Sequence, residues 1–155
     1  MQLLRPLMFP VTVLLMLYAS GVLAQDGKCV LSGGSLAFGP YNPGFTNHLD
    51  ATGTVTLQCS GTVRGQLGMS VGNGAGASYA SGRVMTGGTS GSLRYNLFVD
   101  AARTQVLGDG TGGSTHMNLT IRGTLTQAFW GRIPAGQSTV ATGFYSDTLI
   151  ATISY

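Results

Sequence analysis

The sequence contains no glutamate and a single lysine, Lys28, and charged side chains make up 8% of its 155 residues. A typical globular chain carries about 25%. Polarity is carried instead by Thr, Ser, Asn, Gln and Gly. The basic residues beyond the N-terminus (Arg64, Arg83, Arg94, Arg103, Arg122 and Arg132) are scattered. None forms the cluster that nucleic-acid or anionic-membrane binding needs. The pI near 9.1 therefore reflects a shortage of acids, not a basic patch.

Groups for catalysis are equally scarce: two histidines, five aspartates and two cysteines. There are no paired carboxylates, nucleophile elbow or zinc-ligand spacing. Asp109, in Gly-Asp-Gly-Thr-Gly-Gly, reads as a turn aspartate, and His48 and His116 each sit beside turn residues. The glycine-rich tracts lack the Gly-x-x-x-x-Gly-Lys-Ser/Thr phosphate loop, and none leads into a helix. No enzyme, cofactor or metal site is expected.

Residues 1–24 read as an export leader. Arg5 supplies a short basic region, Leu7–Tyr18 is apolar except for Thr12, and Val22-Leu23-Ala24 fits a signal peptidase site. About 12 apolar residues interrupted by Pro10 are too few to span ~30 Å of hydrocarbon, so no membrane span is expected in the mature chain. The remaining domain, residues 25–155, has seven basic and five acidic residues, a net charge of +2. It is long enough to bury roughly two-thirds of its unfolded surface. In an exported chain the two cysteines, Cys29 and Cys59, most simply form one disulfide. A metal at these cysteines would need histidines or acids at ligand spacing, and His48 and His116 lie far from it.

No segment reads as a helix longer than a turn, because Gly, 25 of 155 residues, recurs throughout and each costs a helix about 1 kcal/mol. Period-two alternation recurs instead. It runs through Leu36 and Phe38; Val55, Leu57 and Cys59; Leu67, Met69 and Val71; Leu93, Tyr95, Leu97 and Val99; and Met117, Leu119 and Ile121. Cys59 shares a face with Val55 and Leu57, so the disulfide should point into the core and pin the first strand to the second. Gly72–Gly91 reads as a connection interrupted by Arg83-Val84-Met85, and Val106-Leu107 as a short piece before the loop Gly108–Ser114. About seven short strands between glycine turns predict an all-β antiparallel sandwich. Of the adjacent Phe129 and Trp130, one should face the core and the other a partner or a loop. Asn118-Leu119-Thr120 is a formal glycosylation sequon on a strand, with Asn118 facing outward.

The terminal segment Thr148–Tyr155 alternates most cleanly, with Leu149, Ala151, Ile153 and Tyr155 on one face. These residues are expected to border a groove with one backbone edge of the strand free, and an uncovered edge is a template for another chain.

These features together resemble the spore coat protein U domain family. The likeness begins with Leu36-x-Phe38-Gly39-x-Tyr41 after Cys29, Cys59 ending the next strand, Arg83-x-Met85 and Leu93-x-Tyr95-x-Leu97. It is most specific in Gly131-Arg132-Ile133-Pro134-Ala135-Gly136-Gln137, Gly143-x-Tyr145-x-Asp147 and the closing strand. The resemblance implies a subunit of archaic, Csu-type chaperone–usher pili, secreted surface fibres used in attachment and biofilm formation. It further implies an immunoglobulin-like sandwich lacking its last strand. The missing strand would come from a periplasmic chaperone and then from a neighbouring pilus subunit, with an outer-membrane usher between, by donor-strand addition. Such a protein would pass through the periplasm to the cell surface. Gln25–Lys28, the residues between the expected cleavage and Cys29, reach only about 13 Å. The chain is therefore expected to accept a donor strand without supplying one. The alternative is a stand-alone secreted surface or coat protein, with an adhesin-like, ligand-binding sandwich.

Overall fold

The computed structural model describes residues 12–17, 28–88 and 91–155. The described residues form seven strands and no helix: β1 (Thr12–Leu17), β2 (Cys29–Ala37), β3 (Leu49–Met69), β4 (Arg83–Gly87), β5 (Gly91–Phe98), β6 (Met117–Ile133) and β7 (Tyr145–Ser154). Their order around the sheet is β1-β2-β3-β6-β5-β4-β7, and β7 pairs with β1, so the sheet closes on itself. This is an all-β, barrel-like arrangement consistent with an immunoglobulin-like β fold. Every pairing is antiparallel except β1 with β7.

β3 and β6 form the long central ribbon, in register from Leu49↔Ile133 to Leu67↔Met117. The alternation read from the sequence as two strands, around Val55–Cys59 and Leu67–Val71, belongs to one 21-residue strand, with Val71 beyond its end. The register shifts between Gln58 and Thr62, where Gly61 adopts φ 98°. That conformation suits glycine, and the extra residues bend the strand. The bend lets β3 pair with β2 through its first half and with β7 through its second (Gln66↔Ser154 to Met69↔Ala151).

Alternation then places the core. Val55, Leu57, Leu67, Leu93, Leu97, Ile121, Phe129, Ile133 and Leu149 are fully buried. Phe38 meets Tyr95 edge-on, with centroids 5.9 Å apart. Of the neighbouring aromatics, Phe129 turns inward and Trp130 lies half-buried on the outer face. Cys29 and Cys59 face each other across β2 and β3 and form the expected disulfide, with their Cα atoms 4.1 Å apart and both side chains in the core.

Phe129 lies over Gly53, its partner on β3. A Cβ there would come within 2.7 Å of both the Phe129 ring and the Ser35 carbonyl oxygen. Because β3 is held between β2 and β6 at this point, neither neighbour can retreat. Gly53→Ala is therefore expected to destabilise the full chain by about 1–3 kcal/mol, as overpacking does. A lowered denaturant midpoint with an unchanged slope would report it, and an unchanged midpoint would contradict the packing argument.

Candidate functional site

The candidate site is the seam between β2 and β7. β1 lies in that seam. It pairs in parallel with β7 from Thr12↔Ser146 to Leu17↔Ala151, and antiparallel with β2 from Thr12↔Ala37 to Leu14↔Ser35. The sequence assigned Thr12–Leu17 to the leader, so the β7 edge expected to be free is covered by that segment. The expected cleavage point at Ala24 lies outside the described residues.

The backbone of β7 faces two ways. Ile150 donates its N–H to Ser70 Oγ (2.9 Å) and accepts the Ser70 N–H at its carbonyl (2.8 Å). Backbone groups alternate along a strand, so Leu149 and Ala151 turn theirs the other way, toward β1. Leu149 and Ala151 are fully buried, and Ile153 is half-buried against the core. Tyr155 is not part of β7. It lies beyond the strand, about half exposed (49%), and its hydroxyl accepts the Cys29 N–H at 3.3 Å.

Where β2 ends and β7 begins, a cleft of about 280 Å³ is lined by Pro40, Tyr41, Pro43, Val140, Phe144 and Tyr145, among others. Thr12 pairs with Ala37 and Ser146, so the cleft adjoins the first residue of β1.

The motif residues hold the strands and turns of the domain in place. Arg132 makes a bidentate pair with Asp50 across the β3–β6 ribbon (2.7 and 2.8 Å), and Arg103 approaches the same carboxylate at 3.4 Å. The Arg132 hydrogen bond holds the Asp50 pKa below its ordinary value, with Arg103 adding to the effect. The Tyr41 hydroxyl donates to the Pro134 carbonyl (3.2 Å) and accepts the Gln137 N–H (3.1 Å). The Gln137 side chain pairs with β5 as a strand would, accepting from Arg94 N (2.8 Å) and donating to Arg94 O (2.9 Å). Gly131 leaves room for Leu36 and Phe38, which a Cβ would meet at 2.7 Å. Gly39 and Gly136 take left-handed backbone conformations in the turns beside Tyr41 and Gln137. Gly143 packs against Gly88, and the buried Tyr145 donates its hydroxyl to the Ala141 carbonyl (2.7 Å).

Arg83, which the sequence placed in a connection, opens strand β4 and is fully buried. Its guanidinium donates to the carbonyls of Ser70 (3.0 Å), Met69 (3.2 Å) and Leu107 (2.7 Å) and to Asn96 Oδ1 (2.7 Å). It also lies over the Tyr79 ring, 5.1 Å from the centroid. Burial pushes the Arg83 pKa down, and neighbouring Tyr95, Tyr79 and Asp147 oppose that shift. Tyr95 donates its hydroxyl to Asp147 (2.8 Å), and burial raises its own pKa.

Burial likewise raises the Asp147 pKa, against the hydrogen bonds from Tyr95 and Thr148. A carboxyl raised in the folded state contributes fully below its unfolded value, and that contribution is lost as pH rises through the folded value. Asp147→Asn should therefore gain stability relative to the unsubstituted chain between pH 4 and pH 7. Denaturation at the two pH values checks this, and a relative loss at pH 7 would contradict it.

The remaining polar candidates are taken up locally. Asp109 accepts from Thr111 N (2.9 Å) and Thr111 Oγ1 (2.6 Å) as a turn aspartate does, and His48 Nδ1 accepts the Ala135 N–H (3.0 Å). His116 packs instead beside Gly68 and Gly110. Asn118 is exposed and accepts from Gln66 Nε2 (3.1 Å). Among the described residues no group of three or more His, Cys, Asp or Glu could hold a metal ion.

The class so defined is an all-β, disulfide-bonded domain whose motif side chains hold loops and strands in place around a strand-width seam. The chain belongs to the Spore Coat Protein U domain family, whose model matches residues 15–152. No curated protein matches it in sequence. Among solved structures it is similar to a chain of the chaperone–tip adhesion subunit pre-assembly complex, CsuC–CsuE, from the archaic chaperone–usher Csu pili of Acinetobacter baumannii. The TM-score is 0.53 at 15% identity, covering 83% of this chain and 40% of that one. At this identity the likeness is one of fold, and the chain spans less than half the length of the chain it matches.

Proposed function

We propose that the chain is a secreted structural subunit of a chaperone–usher surface fibre, and that it accepts a donor strand in the seam between β2 and β7. The observation that carries this reading is that β2 and the Ser146–Ala151 edge of β7 are joined through β1, a segment with the character of an export leader. Without β1, backbone groups of β7 around Leu149 and Ala151 and the outer edge of β2 lack partners. Buried backbone groups without partners are costly, so the seam demands a strand from elsewhere. Membership of the family and the likeness in fold to a chaperone–subunit complex support the source of that strand: a periplasmic chaperone first, then a neighbouring subunit. On this reading the outer-membrane usher orders the exchange, and the product is a surface fibre serving attachment and biofilm formation. The domain is residues 25–155, an immunoglobulin-like sandwich short of one strand, with no catalytic role.

Production of residues 25–155 in the periplasm, with and without the cognate chaperone, tests the reading. A soluble one-to-one complex with the chaperone, and aggregation without it, is the expected result. A soluble, cooperatively unfolding monomer made alone would favour a self-contained surface protein.

A further inference from the structure

We infer that the outer face of β3 and β6, beside Tyr155, is a binding site for an acidic oligosaccharide whose carboxylate is taken up by Arg64 and Arg122. The face lies apart from the seam, so the inference does not rest on the proposed function. It gives the subunit a ligand of its own.

The arginines look scattered in the sequence, but strand register brings two of them together. Arg64 lies opposite Thr120 and Arg122 opposite Thr62, so the two are diagonal neighbours on the β3–β6 ribbon. Diagonal neighbours stand about 7–8 Å apart, within reach of long side chains. Both arginines are exposed, on the face opposite the buried Val63, Leu119 and Ile121. Like charges so placed repel, and among the described residues neither guanidinium has a hydrogen bond or an ion pair. The described carboxylates are engaged elsewhere. Asp50 binds Arg132 and Arg103, and Asp100 accepts from Thr104 and Gln105. Asp109 accepts from Thr111, and Asp147 is buried against Tyr95. A planar guanidinium matches a carboxylate in shape and charge, and two converging ones suit a single such group. Two charges are too few for nucleic acid, where about 6–10 phosphate contacts are usual.

The surroundings suit hydroxyl groups. An open cleft of about 590 Å³ is lined by Arg64, Gln66, Asn118, Thr120, Ser154 and Tyr155, among others. Each of these side chains carries a hydrogen-bonding group. Gln66 Nε2 donates to Asn118 Oδ1 (3.1 Å), which fixes both amides and leaves the Gln66 side-chain carbonyl and the Asn118 amino group for a ligand. A second cleft, of about 290 Å³, shares Ser154 and continues past Thr152 toward His116. The polar surface is therefore longer than a single ion needs. A sugar ring also requires a flat aromatic or apolar face to lie against, and Tyr155 supplies it. Its ring is half exposed, and its hydroxyl is anchored by the Cys29 N–H (3.3 Å). A Cβ at Gly65 would stand 2.7 Å from the Ser154 carbonyl oxygen, so the glycine lets Ser154 and Tyr155 lie close against β3. Cations at one end of a neutral, hydroxyl-binding trough match a uronate-containing oligosaccharide.

The test is isothermal titration of the full chain with trimers of galacturonate, glucuronate and mannuronate, each beside the trimer of the matching neutral sugar. At least one uronate trimer should bind, roughly tenfold or more tighter than its neutral counterpart. Arg64→Gln and Arg122→Gln should each remove most of that difference, because each deletes a charge-assisted hydrogen bond to the carboxylate. Arg94→Gln, which loses the same charge on β5, should leave it unchanged. Tyr155→Ala should weaken acidic and neutral trimers alike. Unfolding midpoints measured alongside separate loss of fold from loss of contact. Three results would overturn the inference: no binding of any uronate trimer, equal binding of the neutral trimers, or displacement of the bound trimer by an equal concentration of acetate, which would mark a simple anion site. The proposed function would stand in each case, because capture by a chaperone uses the seam.

Discussion

Arg83→Met is expected to destabilise the chain by on the order of 4 kcal/mol, the larger of the two biggest substitution effects that the structure implies. The methionine fills similar volume but donates nothing. Three main-chain carbonyls (Met69, Ser70 and Leu107) and Asn96 Oδ1 would lose their charged donor inside the protein. Met69 O keeps the Tyr79 hydroxyl and Asn96 Oδ1 the Leu97 N–H, whereas the Ser70 and Leu107 carbonyls keep no partner among the described residues, at about 1–3 kcal/mol each. The loss would not be confined to β4. Met69 ends the long strand β3 and Ser70 follows it, Leu107 precedes the Gly108–Ser114 loop, and Ser70 also holds Ile150 of β7. Arg83→Lys should recover little, because one ammonium on a flexible stem cannot span acceptors arranged around a planar fork. Denaturant midpoints of the full chain measure both variants. A loss below about 1 kcal/mol for the methionine variant would mean that water replaces the guanidinium and that the network is not structural.

Loss of the disulfide should have the second-largest effect, about 2–5 kcal/mol for Cys59→Ser. On the chain-entropy account, closing a loop with a sequence separation of 30 gives roughly 3–4 kcal/mol. The placement of the bond gives the loss a functional side. Cys29 is the first residue of β2, one wall of the seam, and the bond ties that end to β3. A reduced chain should lose that wall when no strand fills the seam. The yield of chaperone complex should therefore fall along with stability. Non-reducing alkylation of mature protein should find no free thiol. Two alkylated cysteines, or a serine variant that forms the complex in full yield, would contradict the account.

Several elements were legible in the sequence because one residue pattern admitted one physical answer. Val55, Leu57 and Cys59 alternate into the core as period two requires, and the only two cysteines meet. Phe129 and Trp130, adjacent on a strand, had to point to opposite faces. The single strand β3 was not legible, because a bend at Gly61 looks in sequence like a turn between two strands. Strand β4 was hidden by its glycine-rich flanks and by Arg83, since a charged residue reads as surface unless its partners are known. Those partners are main-chain carbonyls from two segments, Met69–Ser70 and Leu107, and the Asn96 side chain from a third, and no sequence pattern announces them. The apolar run at Thr12–Leu17 suits two roles at once, because what makes a leader apolar also makes a strand that closes a sheet. Tyr155 fits the alternation but lies past the last residue of β7.

The most direct measurement of the central claim is residue-resolved amide exchange at Leu149 and Ala151 in residues 25–155, alone and in complex with the periplasmic chaperone. These residues turn their backbone groups toward the seam. The account predicts rapid exchange in whatever soluble fraction exists alone, and at least a hundredfold slowing in the complex. Equally slow exchange in the isolated chain would show that the sheet closes without a donated strand.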